Sequence, residues 1–194
     1  MRITELPKHF HGLDPVKPAR WLLGKRLVVT KGKNRTSGII VETEAYGGPD
    51  DLACHAYQKE TERNRAMFAA PGHIYVYLIY GMYYCINLSC GPEGEGFAVL
   101  VRALEPDEGE AGMYSRRNTD KAKNLCSGPG KLCQALDITR KRHNFQSIFD
   151  SERVWLEEGR RVSKIVDKPR IGISKSIDLP WRFYEAENLN VSKF

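Results

Sequence analysis

The segment HIYVYLIYGMYYCINLS, residues 73–89, holds two alternating runs around a three-residue break. Strand side chains point to opposite faces in turn. Tyr75, Tyr77 and Ile79 therefore share a face of the first run, His73 to Ile79. Cys85, Asn87 and Ser89 share a face of the second, Tyr83 to Ser89. Tyr80-Gly81-Met82 is too short to carry a crossover, so the two strands must be antiparallel. Working outward, Gly91 to Gly96 leads into a further strand, Phe97 to Leu104. Upstream, Leu27 to Thr30 and Ser37 to Tyr46 read as strands joined by the turn chemistry of Lys31-Gly32-Lys33-Asn34. Asp14-Pro15 starts a helix that runs through Trp21 and Leu22 to Gly24, with Asp as cap and Pro in the first turn. Asp107 to Arg117 and Lys131 to Leu136 read as helices. Val154 to Glu157, Arg170 to Ser174 and Trp181 to Glu185 read as late strands. The pattern predicts an α+β fold, with a curved, mostly antiparallel sheet flanked by helices and all 194 residues in one domain.

Composition narrows the function classes. Hydrophobic residues make up 41% and charged residues 28%, as in an ordinary globular chain. No run of 18 apolar residues exists, so no membrane span is expected. Met1 to Leu13 carries charges and lacks an apolar signal core. Cys54, Cys85, Cys90, Cys126 and Cys133 make an odd count, which points to reduced thiols in an intracellular compartment. None is spaced as in a zinc ribbon, and adjacent Cys54 and His55 seldom share a metal, so neither metal nor cofactor is expected. The formal charge of +6 favours a polyanionic partner. Eight cations lie between Arg116 and Arg142, namely Arg116, Arg117, Lys121, Lys123, Lys131, Arg140, Lys141 and Arg142, opposed only by Asp120 and Asp137. As a cluster they read as phosphate contacts, although any one of them alone reads as a solvated side chain.

Alternation places Ile40, Glu42, Glu44 and Tyr46 on one face of their strand, and Leu100, Arg102 and Leu104 on one face of another. Four neighbouring strands can thus bring Glu44, Tyr77, Asn87 and Arg102 to one surface, a plausible site. A buried Glu44–Arg102 ion pair among core tyrosines fits the same spacing, and spacing alone favours that structural reading. Tyr80 falls at a hairpin tip, where it either forms a contact surface or caps the core.

The sequence also resembles a known family. Glu42-Thr43-Glu44-Ala45-Tyr46, Cys54-His55 and Arg63-Asn64-Arg65-Ala66-Met67-Phe68 are similar to motifs of the alkyladenine (3-methyladenine) DNA glycosylases. The likeness continues through residues 75–83 and Asn87, then Leu100-Val101-Arg102-Ala103-Leu104-Glu105-Pro106 and residues 125–136. Pro169-Arg170-Ile171-Gly172-Ile173 and Arg182-Phe183-Tyr184 extend it. Several long motifs in one order are far more specific than a lone short pattern.

The resemblance implies a monofunctional enzyme of base excision repair. Such an enzyme flips an alkylated or deaminated purine out of duplex DNA and hydrolyses its N-glycosidic bond with water. It implies Glu44 as the general base, and Arg102 as a holder of the water together with the Ile171 carbonyl. Tyr46 would stack on one face of the base, Tyr77 and His55 on the other. Tyr80 would fill the gap in the duplex, and Asn87 would crowd the exocyclic amine of normal guanine. Leu100 and Met67 would be wall or support residues. Arg63, Arg65 and Lys131 would meet the DNA backbone. The implied partner is double-stranded DNA with damaged purines, met by a monomer in the cytoplasm, nucleoid or nucleus. A nucleic-acid-binding protein without catalysis predicts the same charge and aromatics, but not a carboxylate paired with Arg102. An enzyme acting on RNA or a free nucleoside is the third reading.

Overall fold

The computed structural model describes residues 1–193. Its eight strands form one antiparallel sheet, curled into a half-barrel, with four helices packed around it. β1 (Arg26–Lys31) and β2 (Asn34–Tyr46) form the first hairpin. β3 (Ile74–Ile79), β4 (Tyr83–Ser89) and β5 (Ala98–Glu108) follow as a meander. β6 (Val154–Glu157) closes the far edge against β1, giving the order β3-β4-β5-β2-β1-β6. β7 (Ile165–Lys168) pairs with β8 (Arg182–Glu185), which in turn pairs with the end of β2. β2 is thus central, bonded to β5 on one edge and to β1 and then β8 on the other.

The helices are α1 (Val16–Leu22), α2 (Glu110–Arg117), α3 (Pro129–Ala135) and α4 (Arg140–His143). Asp14 starts α1 as expected, its carboxylate accepting the Val16 N–H at 2.9 Å. The main core lies between these helices and one sheet face. It joins Leu22, Met113 and Leu132 to Ile40, Ile86, Leu88, Val99 and Leu104. Each fully buried leucine there contributes about 1.5–3 kcal/mol through lost water contact.

Register shifts interrupt the β2–β5 ladder at Ser37/Gly38, Ile40/Glu42 and Glu42/Thr43. Val41 and Glu42 together oppose Ala103, a β-bulge that turns the following residues by one position. Ile40 and Leu104 consequently join the main core rather than sharing a face with Glu44 and Arg102. Val41 and Ala103 form a small separate cluster under Val191 of the C-terminal tail.

Three other sequence expectations need correction. Asp107 and Glu108 belong to β5, not to a helix, because Arg26 pairs with Asp107 at 2.6 Å and Arg35 with Glu108 at 2.6 Å across the extended ladder. The helix begins only after Gly109. Arg170 to Ser174 is irregular chain, not a strand. Gly172 takes a left-handed φ of 75°, and the Ile171 N–H bonds a side chain instead of a neighbouring strand. The strand that does pair with β8 is β7, which sequence reading missed along with the single turn of α4.

Candidate active site

The hairpin β3–β4 turns through Tyr80 and Gly81 at φ 53° and 70°, with Met82 N–H donating to the Ile79 carbonyl at 3.2 Å. Both central residues are left-handed, which marks the tight hairpin turn whose twist matches its strands. Glycine takes this φ freely. A bulky aromatic pays about 1–2 kcal/mol for it. Tyr80 is nonetheless 78% exposed, and Met82 beside it is 66% exposed. A strained, solvated aromatic at a tip contributes nothing to the core, so the capping reading of Tyr80 is not what the structure shows.

Beside this tip opens a cleft of about 800 Å³. Its walls include Tyr46 from β2, Tyr77 from β3, Asn87 from β4, and Leu100 and Arg102 from β5. His55, Arg63, Met67, Tyr80, Lys131 and Ile171 line it as well. The sheet curvature brings side chains separated by more than 120 residues in sequence to one hollow. Arg65 does not join it; its guanidinium sits 4.8 Å from the Phe145 ring centre.

Glu44 lies immediately behind the wall made by Tyr46, Arg102 and Ile171, and is fully buried. Oε2 accepts the Tyr46 hydroxyl at 2.8 Å, and Oε1 accepts the Ile171 backbone N–H at 2.8 Å. Arg102 Nη1 stands 3.3 Å from Oε1. Burial pushes the Glu44 carboxyl up, and the nearby Glu42 adds to this. Arg102, the Ile171 amide and the Tyr46 hydroxyl pull it down. The ion pair favoured by spacing alone is therefore present, but it forms the back of a cleft rather than part of the main core.

The aromatic walls are held by their own contacts. His55 Nδ1 lies 3.0 Å from the Tyr75 hydroxyl, and its ring meets Tyr77 edge-on at 4.6 Å. Burial and the nearby Arg63 lower the His55 pKa from 6.5, which favours the neutral ring. Arg63 places its guanidinium 6.0 Å from the Tyr77 ring centre. Asn87 is buried at the cleft wall, and its Nδ2 donates to the Tyr75 carbonyl at 3.1 Å. Tyr46 is backed by Arg170, whose guanidinium carbon lies 4.6 Å from the ring centre.

Arg170 was missed as a site element. It makes a bidentate pair with Asp51, with both bonds 2.7 Å, and donates to the Ala45 carbonyl at 2.9 Å. Asp51 also accepts the Gly47 N–H at 3.1 Å and the Ala53 N–H at 3.2 Å. One buried ion pair thus ties the end of β2, the loop before His55 and the chain entering Ile171. Its partners are 119 residues apart, and no local pattern announces them.

The basic segment divides in the structure. Arg116 donates to the Ala135 carbonyl at 2.7 Å and Arg142 pairs with Asp137 at 2.8 Å, so both tie the fold together. Arg117 and Lys131 stand at the cleft, while Lys121, Lys123, Arg140 and Lys141 are exposed. All five cysteines are free and buried, and the Cys54 thiol faces the Gly96 carbonyl. Among the described residues no helix is long and apolar enough to cross a membrane.

Comparison with known proteins agrees with this geometry. A family model described as methylpurine-DNA glycosylase matches residues 9–189. A Methanocella arvoryzae protein, provisionally named a 3-methyladenine DNA glycosylase, is 48% identical over 192 residues, covering 97% of this chain and 96% of that protein. Relatives with the same provisional name include one from Agrobacterium fabrum, 46% identical over 97% of this chain and 93% of its own, and one from Bacillus cereus strain G9842, 44% identical over 97% and 99%. A match that spans nearly the whole chain and takes in every wall of the cleft places this protein in the methylpurine-DNA glycosylase family.

Proposed function

We propose that the whole chain, residues 1–194, acts as one monomeric DNA glycosylase that extrudes alkylated or deaminated purines from duplex DNA and hydrolyses the N-glycosidic bond. The observation that carries this reading is the Glu44 carboxylate, held by three donors directly behind an aromatic-walled cleft. A base inside a duplex cannot present its sugar bond to such a cleft. Extrusion costs a few kcal/mol, and least for a weakly paired or damaged base. Tyr46 on one side and Tyr77 with His55 on the other can return about 1–3 kcal/mol per stacked contact. Arg63 and Lys131 at the cleft, with Arg65 outside it, supply charge for the phosphates.

Breaking the bond sends its electron pair to the departing purine and develops positive charge on the sugar, which the attacking water then neutralises. The carboxylate form of Glu44, which Arg102, the Ile171 amide and the Tyr46 hydroxyl favour against the opposing pull of burial, stabilises that charge and takes the proton of the attacking water. The Ile171 segment has two duties in this scheme. Its amide orients Glu44, and its carbonyl helps Arg102 to hold the water. Release of hypoxanthine from an inosine-containing duplex, and of 3-methyladenine from alkylated DNA, tests the activity directly. Binding to both without release would support the non-catalytic reading instead.

Two further outcomes follow from the cleft. Tyr80→Ala is expected to slow cleavage in duplex DNA by about tenfold or more, the worth of one stacked contact. Cleavage of the same lesion in a single strand should change little, since no vacated stack needs filling. Equal losses on both substrates would remove the insertion role. Asn87→Ser is expected to raise release of normal guanine, because the shorter side chain no longer crowds the exocyclic amine. Guanine release that stays at the parent level would discard Asn87 as the excluding group.

A further inference from the structure

We infer that Glu42 and Ser192 are positioning residues for the Arg102 guanidinium, and that the C-terminal tail closes the back of the active site. The inference rests on the reading of Glu44 as the base. The bulge in β2 turns Glu42 into a fully buried niche where it meets the tail. Glu42 Oε1 accepts Arg182 Nη1 at 2.9 Å and the Ser192 hydroxyl at 2.9 Å, and Oε2 accepts the Ser192 N–H at 2.8 Å. Arg102 Nε lies 3.4 Å from Glu42 Oε1 and donates to Ser192 Oγ at 3.2 Å. Val191 packs on Val41 and Ala103, which anchors the tail on the bulge.

This arrangement has a geometric consequence. A guanidinium is a rigid plane, so gripping its Nε edge fixes where its Nη edge points. Glu42 and Ser192 grip Nε, and Nη1 is thereby presented to Glu44 at 3.3 Å and to the cleft. A second buried carboxylate is expensive unless every lone pair finds a donor. Here it accepts from β8 and the tail and pairs with the Arg102 charge of β5, and the hydrolysis itself makes no use of it.

Charge gives a readout that a merely structural role would not move. The groups facing Glu44 are Arg102 from β5, Tyr46 and Glu42 from β2, and the Ile171 amide. Tyr77 from β3, Cys85 from β4 and Arg170 also feel its charge. Removing the charge of Glu42 leaves Arg102 to Glu44 alone, so Glu44 ionises more readily.

The test is the pH profile of single-turnover hypoxanthine release by Glu42→Gln and Ser192→Ala, with duplex affinity measured in parallel. Glu42→Gln is expected to lower the plateau rate about tenfold and to move the acid limb to lower pH. Ser192→Ala should lower the plateau several-fold, Ser192→Thr should restore it, and duplex Kd should stay within about twofold in each case. These folds correspond to up to about one hydrogen bond to a charged group. Parent-like plateaus and limbs in both variants, or losses confined to Kd, would overturn the inference. If Glu42→Gln does not fold, Ser192→Ala and its threonine rescue decide alone. If Glu44→Gln still cleaves, the reading of Glu44 fails. If Glu44→Gln is inactive while Glu42→Gln and Ser192→Ala match the parent, only the positioning role fails.

Discussion

Glu44→Gln is expected to cut the single-turnover release of hypoxanthine from an inosine duplex by about 10²–10⁴-fold, the range of a lost general base. Loss of the carboxylate charge facing the cationic sugar pushes the effect towards the upper end. Duplex affinity should stay within about twofold, because Glu44 is fully buried and lies behind the cleft wall. The fold should tolerate the change. A glutamine carbonyl can accept the Ile171 N–H and Arg102, and its amide can donate to the Tyr46 oxygen, so most of the hydrogen bonds of this group are replaced. In the parent, activity should fall as pH drops and Glu44 takes up a proton. Because burial raises this carboxyl, the fall should be centred above 4.5, the value of an ordinary glutamate. A variant that cleaves as fast as the parent would end the mechanism.

Arg170→Met should be the most damaging single change to stability among the residues around the cleft. It leaves Asp51, completely buried, with two backbone amides and no counter-charge. Breaking a buried pair in this way costs about 3–5 kcal/mol. Urea unfolding would read this as a lower midpoint at an unchanged slope. The double variant Asp51→Asn with Arg170→Met should recover part of the loss, since the stranded charge is gone. Cleavage should fall as well, because the same guanidinium backs Tyr46 and leads directly into the Ile171 amide that orients Glu44. A loss of less than about 1 kcal/mol in Arg170→Met would show that water or a neighbouring group replaces the guanidinium.

Residues 73–89 read correctly because two alternating runs joined by three residues leave the chain one way to pair. The same local logic put Tyr75 and Tyr77 on the face of Asn87, and all three line the cleft. Alternation misled at Ile40 and Leu104, since Val41 on β2 and Arg102 on β5 are extra residues in the ladder and the sequence carries no sign of them. Arg170 to Ser174 looked like a strand because its apolar residues alternate. Its backbone groups are instead committed to Glu44 and to the left-handed turn at Gly172.

By itself the sequence determined what depends on neighbours along the chain: most strands and helices, the hairpin with Tyr80 at its tip, and the motifs that mark the family. The tertiary structure alone decided the buried partnerships that no local pattern announces. Asp51 found Arg170 and Glu42 found Ser192 across 119 and 150 residues. It also decided that Glu44 stands behind the wall of the cleft and not on it. Such pairings are set by how the sheet curls and where it bulges. A buried charge accepts whichever partner that curvature delivers within hydrogen-bond reach, so the choice is written in the packing of distant segments and not in the spacing of adjacent ones.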